Sequence, residues 1–464
     1  PATNQHYLGL RLVITSRLTG NVSLERAGFG GLPVLEKYNR KPRILLVGGD
    51  GRPSGVPRHI LHLASALQED TDLTVISDKD EGGFTALKKM NVRHRIIYGL
   101  TNRLSPRCHW HGISTLLHAL RNEPADLIWV HARLLVLVTR LLLAFRIWKP
   151  KCPVLFTHHG LPYGRGYHPL VHRICKALEM VLVATCPPQD LVFLNHRMAG
   201  WMARDTQANR LARHCVHILP NCSDLQPLAP KKDRQVKRLI MTGRAGRQKD
   251  YDVAARLMAE LPAHFHLTLC GPGTETAKFQ SAIAAVVSQD VFHRITFAGP
   301  MSDVRQPIST ADAYLLTSRY EGTPIGALEA FEAGLPIILR DFDGATDLVS
   351  KHPCGLLMVS DDLAREAKRI IALLDFFDRD ATALRTKIQA VWRANWAPDI
   401  FQRNARALIH SVLTTASGPL AAPNCTHDVP KLRLGHHKSG AGPFPKPPPY
   451  YTTAEPSGES GLQQ

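Results

Sequence analysis

The sequence predicts an α/β protein built from two doubly wound, Rossmann-like domains, and three observations carry that expectation. An apolar run at 44–47 enters a glycine-rich turn and then a helix pattern carried by Ile60, Leu63, Ala64 and Leu67. The alternation of apolar strand, turn and helix restarts at Arg238, after a polar stretch at 229–237. Between residues 320 and 344 a strand-like run, a short helix and a second strand-like run follow in close order.

With 464 residues the chain has room for two or three domains, and 44% hydrophobic residues is the composition of a globular protein. The formal charge of +18 is unevenly spread. Residues 101–200 carry twelve Lys/Arg against four Asp/Glu, whereas 301–400 carry eleven against fifteen. The first half therefore favours anionic partners such as a membrane surface, an acidic acceptor or a nucleic acid. Nine scattered cysteines without a C-x-x-C argue against a zinc site or a disulfide framework and for a reducing compartment. No secretory signal is visible and no run reaches the ~20 apolar residues of a membrane span. The expected location is the cytoplasm, with peripheral contact at the inner face of the cell membrane.

Taken in order, residues 1–41 show no period and stay unassigned. The first domain is expected over 42–228. In its opening turn Gly48, Gly49, Gly51 and Gly55 allow backbone N–H groups to approach a ligand, with a plain tight turn as the competing reading. The turn has neither G-x-G-x-x-G nor a phosphate-loop lysine, so a dinucleotide or P-loop site is a poor fit. Strands are expected at 73–77, 94–99, 126–132, 153–160 and 190–195. Asp78-Lys79-Asp80 has the D-x-D form of metal-binding transferases but follows the second strand, and it reads as a solvated turn. The Leu-rich stretch 133–148 is too short to span a bilayer and is interrupted by Arg140 and Arg146. It reads as a core helix or, with Lys149 and Lys151 beside it, as a helix lying on a membrane. The strand at 153–160 ends in His158, His159 and Gly160, a loop position where a histidine is a candidate for function. The glycine-rich, basic segment 160–169 is a candidate acceptor loop.

The second domain is expected over 229–397, opening with the linker. Its first strand runs into a basic turn with Arg244, Arg247 and Lys249; a guanidinium and an ammonium near a helix start suit a diphosphate. Strands at 266–273 and 294–300 end in glycine turns, the first at Gly271. A helical stretch at 391–413 is broken at Pro398. From 415 onward Pro, Gly and Ser dominate and disorder is expected; Pro447-Pro448-Pro449-Tyr450 within it is a weak WW-ligand match.

The stretch 320–344 organises the rest. Glu321 closes the apolar run AYLLTSRY, at the strand end where open α/β sheets bind ligands. Thr323 is a candidate helix cap, Pro324 suits the first helical position, and Gly334 with Pro336 stops the helix. Glu329 lies within that helix, and its N-terminus at Pro324, Ile325 and Gly326 is a natural anion site.

The pattern E-G-x-P-x-x-x-x-E-A-x-x-x-G-x-P resembles the E-x7-E signature of retaining glycosyltransferases of family 4, which have the GT-B fold. Further motifs occur in that family's order: the first glycine turn, Thr157-His158-His159-Gly160 against T-x-H-G, Pro220-Asn221-Cys222-Ser223-Asp224 against P-N-G-x-D, and Arg244 with Lys249 against R-x4-K. The resemblance implies two facing domains with a nucleotide sugar in the cleft and a terminal helix, 398–414, crossing back to the first domain. It implies that Glu329 binds the donor ribose and Glu321 the sugar hydroxyls. His159 then lies against the transferred sugar, with His158 structural, and Arg244 and Lys249 hold the leaving diphosphate. Gly48, Gly49, Gly55 and Gly271, with the N–H groups of 323–326, line the donor. Cys222 stands where the family has glycine. No cofactor or metal is implied; the UDP- or GDP-linked sugar is a substrate, and the acceptor is a glycan or lipid-linked hydroxyl. A hydrolysing nucleotide-sugar epimerase shares the fold but lacks identifiable acid/base residues here, and a basic nucleic-acid binder lacks any nucleic-acid motif.

Overall fold

The computed structural model describes residues 40–100, 106–163, 168–226, 228, 236–301 and 303–415. The expectations for the N-terminal extension and the proline-rich tail lie outside the described residues, as do most of the linker and part of the 160–169 loop.

The first sheet holds seven parallel strands: β1 (Arg43–Val47), β2 (Asp72–Ser77), β3 (Arg93–Ile96), β4 (Leu127–Val130), β5 (Val154–His158), β6 (Asp190–Phe193) and β7 (Cys215–Ile218). Their order is β3-β2-β1-β4-β5-β6-β7. Between and after the strands run α1 (Gly55–Leu67), α2 (Pro106–Asn122), α3 (Arg133–Ala144), α4 (Pro169–Thr185), α5 (His196–Thr206) and α6 (Ala208–Leu211). The second sheet holds β8 (Lys237–Thr242), β9 (Phe265–Cys270), β10 (Ile295–Gly299), β11 (Ala313–Leu316), β12 (Ile337–Arg340) and β13 (Gly355–Met358), ordered β10-β9-β8-β11-β12-β13. Its helices are α7 (Tyr251–Glu260), α8 (Ala277–Ala284), α9 (Gln289–Phe292), α10 (Arg305–Ser309), α11 (Ile325–Glu332), α12 (Ala345–Lys351), α13 (Leu363–Arg379) and α14 (Ala381–Asn395). The last helix of the described residues is α15 (Pro398–Thr415).

Parallel strands are covered by helices on both faces, so they read as continuous apolar runs. In RILLV, Leu45 and Val47 enter a cluster with Leu135 and Val136 of α3. Ile44 and Leu46 point the other way, onto Ile60 and Leu63 of α1. Phe401, Ala405 and Ile409 of α15 join that second cluster, and Arg406 Nε donates to the Ala66 carbonyl at 2.9 Å. The terminal helix therefore crosses back onto the first domain. It starts at Pro398, where proline is suited to a helix's first turn, and the break at 396–397 leaves Trp396 packed on Phe331.

Several expectations change. β7 and β13 are strands that the sequence did not signal: CVHI is only half-buried along its length and GLLM is very short. The Leu-rich stretch is a core helix. Arg140 on α3 is fully buried, donating from Nη1 to Glu179 Oε2 at 2.5 Å and from Nε to Gln189 Oε1 at 3.1 Å, so it points inward and the membrane-lying reading of α3 fails. Asp78 is buried, whereas Lys79, Glu81 and Gly82 are exposed as expected of a solvated turn, and the half-buried Asp80 carboxylate accepts from the N–H groups of Gly82 and Phe84. Cys152, Cys175, Cys186, Cys222, Cys270 and Cys354 are free thiols.

Candidate active site

In each sheet the chain leaves the first strand in one direction and returns on its other side, so β1/β4 and β8/β11 are switch points whose carboxyl ends open a crevice. Glu321 follows β11, and Lys249 lies in the turn between β8 and α7. Lys249 Nζ sits 2.8 Å from Glu321 Oε1, and Ser318 Oγ donates to the same oxygen at 3.0 Å. The turn that carries Lys249 is itself anchored. Asp250 adopts the left-handed region (φ 54°) and is buried, with its carboxylate taken by Arg319 and Arg340 at 2.6 Å each. Thr317 Oγ1 donates to the Lys249 and Asp250 carbonyls, both at 3.0 Å.

Glu329 is buried on α11, where Arg58 of α1 reaches across from the first domain to pair with its Oε1 at 2.8 Å. Burial raises the Glu329 pKa and Arg58 opposes that shift. Gly326 lets α11 approach the sheet: a Cβ there would collide with Thr242 Oγ1 and the Tyr314 hydroxyl. Gly334 takes φ 69° and ends the helix, its N–H bonded to the Phe331 carbonyl and that of Leu335 to the Ala330 carbonyl.

Two details of the helix start differ from the expectation. Pro324 takes the cap position in an extended conformation, outside the helix, and Thr323 does not cap; Thr323 Oγ1 donates instead to the Leu194 carbonyl at 3.1 Å. The reason is docking between the halves of the molecule. Asn195 Nδ2 donates to the Gly322 carbonyl at 3.3 Å, and Asn221 Nδ2 to the Thr323 carbonyl at 2.6 Å. The loop 321–324 is thereby held against the first domain beside His159, whose carbonyl leaves no room for a Cβ at Gly322. Asn221 belongs to the P-N-C-S-D segment, and the backbone at Cys222 is not left-handed, so cysteine fits there, buried, without strain. Glu332, one turn after Glu329, accepts from the N–H groups of Leu225 and Gln226 and from Ser223 Oγ, tying α11 to the residues before the linker.

Arg244 is exposed in the turn after β8, within electrostatic reach of Arg52 and Asp50 of the first domain. Partial desolvation and then Arg52 lower its pKa, while Asp50 raises it. Arg247 is exposed in the same turn. Among the glycines, Gly55 is exposed at the start of α1, which has no acidic residue in its first turn and no side-chain cap, so its first N–H groups remain available to an anion. Gly48 and Gly49 are buried, and a Cβ on either would crowd Ile60 or Ala132. Gly271 is buried with φ 146°, its Cα pressed on the Gly243 backbone. At these three glycines the protein packs closely on itself, and the N–H groups of Gly48 and Gly271 bond the Ile76 and Gly299 carbonyls.

His159 sits at the carboxyl end of β5, partly buried, with its ring edge-on to His59 (centroids 4.9 Å apart) and Nε2 3.3 Å from His131 Nδ1. Burial, then the neighbours His59 and His158, hold its pKa well below the usual histidine value, so the ring is neutral. His158, inside β5, stacks on Phe193 (centroids 5.1 Å apart) in the core, the structural position expected of it.

The structure thus brings Glu321 and Lys249 together, places Glu329 beside Arg58, and sets His159 against the 321–324 loop. Arg58, Asn221, Ser318 and Asp250 were not assigned roles from sequence. Only Asn221 carried a signal, its place in the P-N-C-S-D segment; the partners of the others lie far along the chain or in an unpatterned loop.

Comparisons with known proteins agree with this geometry. The family described as Glycosyltransferase Family 4 matches residues 53–227, and the family described as Glycosyl transferases group 1 matches 226–382. The chain is 24% identical over 340 residues to the UDP-Gal:alpha-D-GlcNAc-diphosphoundecaprenol alpha-1,3-galactosyltransferase of Escherichia coli, covering 69% of this chain and 85% of that protein. It is 25% identical over 282 residues to the 2-deoxystreptamine glucosyltransferase of Streptomyces kanamyceticus, covering 55% and 70%. Among solved structures, Anabaena Alr3699/HepE in complex with UDP-glucose superposes with a TM-score of 0.64 at 15% identity, over 80% of this chain and all of that one. WaaG, a glycosyltransferase involved in lipopolysaccharide biosynthesis, gives 0.59 at 15% identity, over 80% of this chain and 99% of that one. Neither the epimerase nor the nucleic-acid reading is favoured by these matches. With two adjoining family models accounting for residues 53–382, the chain belongs to the glycosyltransferases of the group 1/family 4 type, with the GT-B fold.

Proposed function

We propose that the protein moves a hexose from a UDP- or GDP-linked donor to a hydroxyl of a glycan or lipid-linked acceptor, with retention at the anomeric carbon. The observation that carries this reading is the Lys249–Glu321 contact at the second switch point, with Glu329 buried one helix turn pair further on. Glu329 takes the ribose hydroxyls and Glu321 the hydroxyls of the sugar. The ammonium of Lys249 has three N–H donors, so it orients Glu321 and still reaches the diphosphate. Arg244 and Lys249, with the free N–H groups at the start of α1, take the negative charge that grows on the leaving diphosphate. This field does for the diphosphate what a bound metal does elsewhere, so transfer needs no metal there.

The donor's C1–O bond to the diphosphate breaks while a new C1–O bond to the acceptor forms on the same face. The acceptor proton passes to an oxygen of the leaving phosphate, which explains why the site offers no general base: neutral His159 is committed to its histidine neighbours and lies beside the sugar position. Purified protein incubated with a panel of nucleotide sugars and candidate acceptors tests this by mass spectrometry. Nucleotide release that requires an acceptor and yields an α-product from an α-linked donor is expected. Epimer formation without an acceptor, or turnover with inversion, overturns it.

The acceptor side supports a lipid-linked substrate. On α4, Leu170, Ile174 and Val181 are 59%, 57% and 54% exposed and fall on one stripe, with exposed Arg173 beside them. No helix among the described residues is long and apolar enough to cross a membrane. A stripe of this kind on a domain with excess positive charge fits an anionic lipid surface, to which each basic residue adds about 1 kcal/mol. Co-sedimentation with vesicles containing anionic lipid is expected, weakening in high salt and on Ile174→Asp. Equal binding to neutral vesicles would remove the electrostatic part of this reading.

A further inference from the structure

We propose that His59, His131 and His159 form a binding site for a zinc-like divalent cation in the first domain, separate from the groups that hold the diphosphate. The inference does not depend on which sugar is transferred, or on whether any is.

Three elements converge to make the cluster: His59 from α1, His131 just past the carboxyl end of β4, and His159 just past that of β5. One ring nitrogen from each lies within 4.8 Å of the others, and no other group of three or more potential ligands of this kind occurs among the described residues. The His131 Nδ1 to His159 Nε2 separation is 3.3 Å. That is long for a hydrogen bond but matches the edge of a tetrahedron with metal–nitrogen bonds of about 2.0–2.1 Å, whose edge is about 3.3–3.4 Å.

The tautomer of His59 is fixed by its neighbour. Asn221 Nδ2 donates to the Thr323 carbonyl at 2.6 Å, which orients the amide and turns Oδ1 toward His59 Nδ1 at 2.8 Å. An amide oxygen only accepts, so Nδ1 carries the hydrogen and Nε2 presents a lone pair. That Nε2 is buried and finds no hydrogen-bond partner among the described residues. A histidine with one ring nitrogen held by an amide oxygen and the other buried and bare, its ring packed on two other imidazoles, has the outer-sphere support typical of a metal ligand.

The donor set defines the ion. Three neutral imidazoles with no carboxylate favour zinc, cobalt, nickel or copper and disfavour magnesium and calcium, the ions that bridge phosphates. A cation here locks the His159 ring beside the sugar position. Through Asn221 and Thr323 it also stiffens the loop that carries Glu321.

The test uses the full chain, stripped with a chelator, dialysed and titrated with Co2+ alone. One equivalent is expected to produce the intense visible absorption of tetrahedral cobalt, whereas ion adsorbed on surface histidines is octahedral and absorbs weakly. His59→Ala and His131→Ala are expected to lower affinity at least tenfold. Both side chains are buried, so far-UV circular dichroism accompanies each, and the partly exposed His159→Ala is expected to show the same loss without disturbing the core. UDP affinity, by calorimetry, is expected to be unchanged by stripping. Absence of the tetrahedral spectrum in the wild type, or a spectrum with unaltered affinity in His159→Ala, overturns the site. A large fall in UDP affinity on stripping would place the ion on the diphosphate and overturn the separation claimed here.

Discussion

Lys249 Nζ and Glu321 Oε1, 2.8 Å apart, join the turn after β8 to the loop after β11 across the second sheet's switch point. The two side chains are only 16% and 12% exposed, so the pair is largely shielded from solvent, and it sets two charged groups of opposite sign at one end of the crevice. Glu321→Ala is expected to spare UDP affinity and lower kcat, because contacts to the sugar matter most as the glycosidic bond breaks. Lys249→Ala is expected to cost about 10²-fold in kcat through loss of charge stabilisation on the leaving group. Initial rates and calorimetry separate the two; a Glu321 variant that loses UDP affinity would reverse the assignment.

Glu329 and Arg58 make the corresponding contact between domains. Removing the carboxylate in Glu329→Ala deletes charge-assisted hydrogen bonds worth roughly 1.5–3 kcal/mol, so the UDP Kd is expected to rise about tenfold or more. Burial raises the Glu329 pKa while Arg58 restrains it. In the proposed reading the ionised form holds the ribose, so UDP affinity is expected to fall as pH is lowered toward that raised value. Arg58→Ala removes the restraint and should move the fall to higher pH. Titration calorimetry across a pH series checks both, and identical pH profiles for wild type and Arg58→Ala would discard Arg58 as the tuning group.

Much of this was legible in sequence because it rests on local rules. Apolar runs with helices between them announced both sheets, and Gly334 announced the end of α11. The failures share a cause, which is tertiary contact. Thr323 has the right chemistry for a cap, but its hydroxyl is taken by the Leu194 carbonyl of the other domain. The close packing of Gly48, Gly49 and Gly271 on protein atoms likewise carried no local signal. Arg140 interrupts an apolar helix as a charge bound for solvent would, until Glu179 is seen to meet it in the interior. No spacing links Arg58 to Glu329, and the pair exists only because the two domains face one another.

Gly326 provides a packing test. A methyl group at this position meets Thr242 Oγ1 and the Tyr314 hydroxyl, which hydrogen-bond each other at 2.9 Å beneath α11. The sheet cannot yield there, so Gly326→Ala is expected to destabilise by about 1–3 kcal/mol. It should also displace Glu329, three residues on, and weaken UDP binding. Urea denaturation and calorimetry on the same preparation report the two effects. A variant as stable as the wild type would show that α11 can shift outward freely.

The pH dependence of stability has a contributor away from the site. His352 is buried after α12, its ring 4.2 Å from that of Phe331. In the neutral form both nitrogens are used: Nε2–H donates to the Leu335 carbonyl at 3.0 Å and Nδ1 accepts from the Cys354 N–H at 2.9 Å. A second proton on Nδ1 would face that N–H, and burial already lowers the pKa from 6.5 to about 3. As pH falls below about 6.5 the unfolded chain protonates this ring while the native protein does not, so the unfolded state binds more protons and is favoured. The contribution is therefore complete above that pH and is lost as pH falls toward 3, by at most about 1.4 kcal/mol per pH unit. His352→Gln is expected to be less stable than the wild type at pH 7, through loss of buried hydrogen bonds, and to show a shallower decline with acidification. Urea midpoints measured between neutral pH and the onset of acid unfolding give both slopes; parallel slopes would mean that His352 accepts a proton in the native state as readily as in the unfolded one.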